Sequence, residues 1–344
     1  MKKELWYAPE YYKMFHCKAD KCRRTCCSSW KIPVSRNEYL KLVTMECSDS
    51  LNRRIQNTFI IPETVTDACY RYICFNWLGN CPLQDRGLCK LHREKGEDFL
   101  PKVCRLYPRS LKEVNGIRFA CCSASCERVV EMLMDCDRIG MEMIEIDEEP
   151  NISYTLNEEG IRQIGCINDI FNDGKLSLKE KISAVCRSVN LEAFEEDSRS
   201  AEDALTKVVD LLERFSFGNE VLAGISEQAS ANYRHDPKRY EEDCASFEKC
   251  YPDWMDFFER LINNSMIYEC FPFVDSRSDP TGAYKGLCAL YGLLKLVCVT
   301  STEKQPDRET LVDGVASLFH LIDHTAFYYN ISCIIDNTAI LLRL

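Results

Sequence analysis

Glycine is sparse in this chain, 14 of 344 residues, and neither a G-x-G-x-x-G nor a G-x-x-x-x-G-K-[ST] stretch occurs. A nucleotide cradled by backbone amides at a strand-to-helix turn is therefore not expected, and neither is a doubly wound sheet built around one. Histidine is scarcer, at five. No Cys-x2-Cys pair occurs among the close-set cysteines, so the paired half-sites of a common structural zinc are missing. The longest apolar run, residues 286–300, is short for a bilayer span and carries Lys295 in its middle, which predicts no membrane crossing. The first ten residues place Glu4 and Pro9 where a secretory signal needs an unbroken apolar run. The expected location is thus the cytoplasm, where thiols stay reduced and bind metal or do redox chemistry rather than form disulfides.

The net charge of -11 conceals an uneven distribution. Residues 1–140 hold 24 Lys and Arg against 17 Asp and Glu, whereas the remainder holds 19 against 37. No continuous basic stripe appears, so nucleic acid is not an expected partner. The basic residues Lys21, Arg23, Arg24, Lys31, Arg105 and Arg109 lie close in sequence to cysteines, where they would partly offset thiolate charge.

What is abundant is cysteine. Fourteen of 22 fall between Cys17 and Cys136. The densest group is Cys17-x4-Cys22-x3-Cys26-Cys27, followed by single residues Cys81, Cys89, Cys104 and Cys126. Thiolates at such intervals are ligands of iron-sulfur clusters or zinc. These eight are the candidate metal ligands, and a 4Fe-4S cluster is favoured over zinc because the zinc half-sites are absent. Four thiolates serve one cluster, leaving either a second metal or four structural thiols. Cys26 and Cys27, as neighbours, are expected to serve different purposes. Cys47, Cys69, Cys74 and the cysteines beyond Cys136 read as small buried hydrophobes. His92, three residues after Cys89, is a candidate ligand or hydrogen-bond donor to a cluster sulfur. His320 and His324 share a helix face, but without a third ligand nearby they read as packed side chains.

Composition changes at Glu145-Ile146-Asp147-Glu148-Glu149-Pro150-Asn151, an acidic stretch that predicts a connector. Residues 1–144 read as an irregular, cysteine-rich, metal-binding domain with short helices, one opened by the capping box Ser35-x-x-Glu38. Residues 151–344 read as an all-helical domain. There Ser177-x-x-Glu180 opens a segment with Leu178, Ile182, Val185 and Val189 on one face, and Ala204, Leu205, Val208, Val209, Leu212 and Phe215 repeat the spacing. Further helices are expected over 254–267, 287–299, 311–324 and 331–342. The predicted fold class is mainly α.

The cysteine blocks resemble the flagellin lysine-N-methylases. The resemblance lies in Phe15-His16-Cys17-x4-Cys22-x3-Cys26-Cys27-x2-Trp30-x-Ile32-Pro33, Cys81-Pro82-Leu83, Gly87-Leu88-Cys89-x2-His92, Leu100-Pro101-x2-Cys104-Arg105-x-Tyr107-Pro108-Arg109 and Ser125-Cys126-Glu127. It covers roughly the first 130 residues in family order; the helical half matches more loosely, over residues 162–170 and 176–181. The resemblance implies transfer of methyl groups from S-adenosylmethionine to lysines of flagellin or a similar protein, with an iron-sulfur cluster present. Cys69, Cys74, Cys121 and Cys122 are alternative thiols outside that pattern. The alternative reading is a non-catalytic scaffold or redox sensor. Radical adenosylmethionine enzymes use Cys-x3-Cys-x2-Cys, which Cys22-x3-Cys26-Cys27 does not reproduce, so polar transfer is expected. Tyrosines that could line a lysine channel, Tyr7, Tyr11, Tyr12, Tyr70 and Tyr72 with Trp6, Phe75 and Trp77, read first as core.

Protein purified without oxygen should be brown and release acid-labile sulfide with its iron. Stoichiometric zinc in a colourless protein without sulfide would reverse that expectation.

Overall fold

The computed structural model describes residues 4–28, 30–76, 79–188, 200–273, 280–303, 307–335 and 339–344. The chain is mainly helical, as the periodicity predicts, with three small sheets. It divides into two compact units, and the smaller, His16–Pro108, is inserted into the larger, which comprises Met1–Phe15 and Arg109–Leu344.

The division does not follow the acidic stretch near residue 145. Met141–Ile146 is a strand paired in antiparallel register with Glu4–Pro9, from Glu4 opposite Ile146 to Pro9 opposite Met141. Ile152–Tyr154, just beyond, runs parallel to Arg109–Val114. The five residues between these strands make a turn between two edges of one sheet, ordered with Met141–Ile146 and Ile152–Tyr154 at opposite ends. The sheet also contains the hairpin Arg109–Val114 and Ile117–Cys122. Its turn is Asn115-Gly116, with φ of 49° and 81°. Positive φ at both residues is the mirror-image turn that matches strand twist, and Asn-Gly tolerates it best. The larger unit is therefore not all helical.

Helices complete the larger unit. The capping box read at Ser177 forms and opens Leu178–Arg187 with Glu180, and the structure adds another, in which Ser200 opens Ala201–Phe215 with Asp203. Val189 lies outside the described residues. At the centre runs Pro280–Thr302, packed against Ala201–Phe215, Glu220–Tyr233, Pro237–Cys250, Trp254–Glu269, Arg308–His324 and Phe327–Ile334. By length and composition it is the one described helix apolar enough to cross a membrane, but 94% of its apolar window is buried inside the fold. The expected helix over 331–342 is instead two pieces, Phe327–Ile334 and a 3-10 turn at Ala339–Arg343.

The inserted unit has its own core of Ile32, Val34, Leu42, Leu51, Ile55, Ile73, Leu83 and Leu91, with Cys81 among them. Its helix Arg36–Thr44 begins at Ser35, whose backbone amide donates to Glu38 Oε2 at 2.7 Å while its hydroxyl accepts from the Glu38 amide. Glu38 Oε1 also accepts from the Lys102 amide, at the start of Lys102–Leu106. One carboxylate thus fixes two helix beginnings.

The larger unit clasps the two points at which the insert leaves and returns. The Arg109 guanidinium donates to the Phe15 carbonyl at 3.3 Å and lies 5.0 Å from the Phe15 ring centre. An insert with joined ends and its own core is a folding unit in its own right. Expressed alone, residues 16–108 should sediment as a monomer and take up iron. Residues 1–144, which lose the edge strand Ile152–Tyr154, the end of Met141–Ile146 and the helices packed on the sheet, should aggregate more despite being longer.

Candidate functional site

Four of the eight predicted thiols converge in the inserted unit. Cys27 and Cys81 are joined by a backbone hydrogen bond of 2.9 Å from the Cys81 amide to the Cys27 carbonyl. Cys89 is brought beside Cys81 by the tight hairpin Gln84–Asp85 and Leu88–Cys89, whose turn residues Arg86 and Gly87 have φ of 54° and 80°. Cys104 comes from the helix that Glu38 anchors. All four pack against the same apolar cluster, and each thiol lies within electrostatic reach of others in the set.

Burial dominates their ionisation. It pushes the Cys81 thiol up to about 12, raises Cys89, and raises Cys104 far above the ordinary thiol range, with the charges of Cys27, Cys81 and Cys89 adding to that last rise. Cys27 moves the other way, to about 7, chiefly through its hydrogen bond with Cys26 and against the effect of burial. Opposing the burial, backbone hydrogen bonds from Leu83 and Gln84 favour the Cys81 thiolate, and those from Leu91 and His92 favour the Cys89 thiolate. His92 therefore serves through its main chain. Amides directed at sulfur stabilise thiolates, and a cation is the remaining term that a buried thiolate set requires. The donor set thus fits a thiolate-ligated metal. Among the described residues no three His, Cys, Asp or Glu side chains are close enough to grip a single ion. A tetrahedral zinc would draw four sulfurs to about 3.8 Å from one another, given bonds of ~2.3 Å. A cubane holds its thiolates farther apart.

Of the other four candidates, Cys26 is hydrogen-bonded to the Cys27 side chain. Cys17 and Cys26 are exposed and Cys22 is half-buried; the Cys17 sulfur accepts from the Ala19 amide at 3.3 Å. Cys126 belongs to the larger unit, where it precedes the helix Glu127–Asp135. Cys121 and Cys122 are fully buried on a strand, and the Cys121 sulfur lies 3.3 Å from both Tyr11 Oη and Asn264 Oδ1. Trp6, Tyr11 and Tyr12 are core residues, as read; Trp77 lies outside the described residues.

Sequence reasoning missed a second polar centre, in the larger unit. Ser123 Oγ donates to Asp323 Oδ2, and Ser125 Oγ lies 2.9 Å from His324 Nε2. Lys112 Nζ donates to the Tyr268 carbonyl and sits 5.0 Å from that residue's ring centre. Burial, then the neighbouring Glu269 charge, raises the Asp323 carboxyl far above the usual range. Burial and His320 lower His324 to about 3, so this pair, with ring centres 5.2 Å apart, is held neutral. No sequence spacing signals this centre, because its partners lie some 200 residues apart.

The helical half matches the C-terminal domain of FliB lysine N-methylases over residues 159–337, more than half of the chain. The chain belongs to the FliB lysine N-methylase family. Its helical half, in which motif reading found only loose likeness, is where the family match lies. The chain is 27% identical over a stretch of 152 residues to lysine-N-methylases of Salmonella typhimurium strain LT2 and Salmonella choleraesuis strain SC-B67. That stretch is 43% of this FliB-family chain and 36% of each relative, so it covers about a third of their length. No solved structure matches the chain.

Cys81→Ser and Cys104→Ser should each remove most bound iron and lower the melting temperature of the inserted unit, since ligand energy is folding energy. Cys186→Ser and Cys298→Ser, in buried helical positions of the larger unit, should leave the iron-to-protein ratio unchanged. Elemental analysis of the four proteins checks both halves of the expectation.

Proposed function

We propose that the chain is a protein lysine N-methyltransferase that moves methyl groups from S-adenosylmethionine to lysine side chains of flagellin or a similar cytoplasmic protein substrate. Membership in the FliB family is the observation that carries this reading. The thiols Cys27, Cys81, Cys89 and Cys104 are the residues that would hold a 4Fe-4S cluster, whose contribution would be to order the inserted unit and set a redox-sensitive thiolate environment. Cys17, Cys22 and Cys26, all in the inserted unit, remain candidates for a second centre.

Methylating lysine has two physical requirements: the ammonium must lose a proton to expose its lone pair, and the amine must be held in line with the sulfonium methyl. The acidic balance beyond residue 140, 19 basic against 37 acidic residues, favours capture of a lysine-bearing surface. A sulfonium donor is also cationic, so the same field favours both reactants.

Full-length protein incubated without oxygen with methyl-labelled adenosylmethionine and flagellin should place label on lysine side chains. Capture should weaken as ionic strength rises, because exposed charges are screened within about 10 Å at 0.1 M. Intact metal with no label transferred would instead support the scaffold or redox-sensor reading.

A further inference from the structure

One lysine of the larger unit stands in surroundings that disfavour its charge. Lys179 is the second residue of Leu178–Arg187, where the positive end of the helix opposes an ammonium. Its Nζ lies 5.4 Å from the centre of the Tyr291 ring, on the central helix Pro280–Thr302. Four residues on, and so on the same face of that helix, is a second lysine, Lys295. Lys295 is buried and fixed: its Nζ donates to the Leu344 carbonyl at 2.7 Å, lies 3.4 Å from Glu248 Oε1 and sits 4.8 Å from the Trp254 ring centre. A cation that cannot withdraw repels its neighbour. Glu248 and Cys244, on Pro237–Cys250, offset part of that repulsion, but Glu248 is already engaged by Lys295. Glu259, on Trp254–Glu269, pairs with Lys181 instead.

Burial first, and then Lys295, lower the Lys179 ammonium to about 8. An ordinary lysine is neutral in roughly one molecule per thousand at about pH 7.5, whereas this one is neutral in about a quarter. The residue is half-buried rather than enclosed, so its amine is open to reaction. The Tyr291 ring suits the methylated product as well. Methyl groups on nitrogen keep its positive charge but weaken its hydration, and an aromatic face is the surface on which such cations rest. A half-buried lysine over a ring therefore gains from methylation twice: its lone pair is available beforehand, and the resulting cation tolerates burial better.

We infer that Lys179, set between the Tyr291 ring and the fixed ammonium of Lys295, is a methylation site of this chain itself, a lysine acceptor additional to those of the flagellin-like substrate. This inference rests on the methyltransferase reading. In the step, the Lys179 ammonium first releases a proton to water. Its nitrogen lone pair then forms a bond to the methyl carbon of the sulfonium donor. The carbon-sulfur electron pair stays on sulfur, leaving a neutral thioether and a methylated ammonium over the Tyr291 ring. The charged and titratable groups that face Lys179 are Lys295 and Tyr291 on the central helix and Glu248 and Cys244 on Pro237–Cys250.

The test incubates full-length protein without oxygen with methyl-labelled adenosylmethionine, with and without flagellin, and maps the label by digestion and mass spectrometry. Lys179 should carry roughly tenfold more label than the exposed Lys238 and Lys249, a margin well inside the ratio of neutral fractions. Lys179→Arg should lose most of the self-label while methylating flagellin at the wild-type rate. The neutral amine accumulates as pH rises, so self-label relative to flagellin label should climb with pH and level off above about 8. Lys295→Met, which removes the fixed cation, should move that climb to higher pH. Where a thermal melt shows that this variant does not fold, the wild-type pH profile and Lys179→Arg decide. Label on flagellin with none on Lys179, or self-label spread evenly over exposed lysines, would overturn the inference and leave the methyltransferase reading standing. Transfer to neither protein would end the reading and the inference together.

Discussion

A charge taken out of water must find an opposite charge or a set of directed dipoles, and both units of this chain are organised by that requirement. In the inserted unit the groups are thiols, and burial holds Cys81, Cys89 and Cys104 toward their neutral form. Amides from the residues following Cys81 and Cys89 supply part of what water gave, and the sequence spacing puts those amides within reach by making each cysteine the start of a turn. The apolar side chains around them keep solvent out, which makes ionising these thiols costly. In the larger unit the charges are carboxylates, answered by Ser123, Lys112 and the main chain of the loop before the helix Glu127–Asp135.

The two centres differ in how far the sequence announces them. Cysteine identities and order are visible in the chain, but which four meet is decided by a hairpin, a capping box and a loop bridge that bring together residues up to 77 positions apart, from Cys27 to Cys104. Adjacent Cys26 and Cys27 differ in exposure, one open to solvent and one packed on the apolar cluster, yet their side chains are hydrogen-bonded to each other. Helical segments were readable because Ser-x-x-Glu and three- and four-residue apolar spacing act locally. The strands were readable too, in Asn115-Gly116 and in the alternation of Met141-Glu142-Met143-Ile144-Glu145, yet the acidic residues of that last strand read as a connector. Edge strands carry charge on their open side, and so they mimic linkers. Asp323 had no local signal at all: a carboxylate in a helical pattern reads as surface until its distant serine is known.

Topology explains how the two chemistries coexist. Inserting the thiol-bearing unit between Phe15 and Arg109 leaves the sheet of the larger unit uninterrupted, since Glu4–Pro9 still pairs with both Ile117–Cys122 and Met141–Ile146. Arg109, the final residue of a cysteine-bearing sequence block, acts in the larger unit through the Phe15 carbonyl and ring. Besides closing the insert, it also favours the charged form of the neighbouring Cys122 thiol.

The central, largely buried helix Pro280–Thr302 sets an order of events during synthesis. Several helices that pack on it, from Ala201–Phe215 to Trp254–Glu269, leave the ribosome first, with apolar faces that have nothing yet to cover. At about 5–20 residues per second, the interval between the first of these and the central helix is on the order of several seconds. The nascent chain therefore passes through a stage in which it is sticky and incomplete, and chaperone capture at that stage is the foreseeable requirement for good yield.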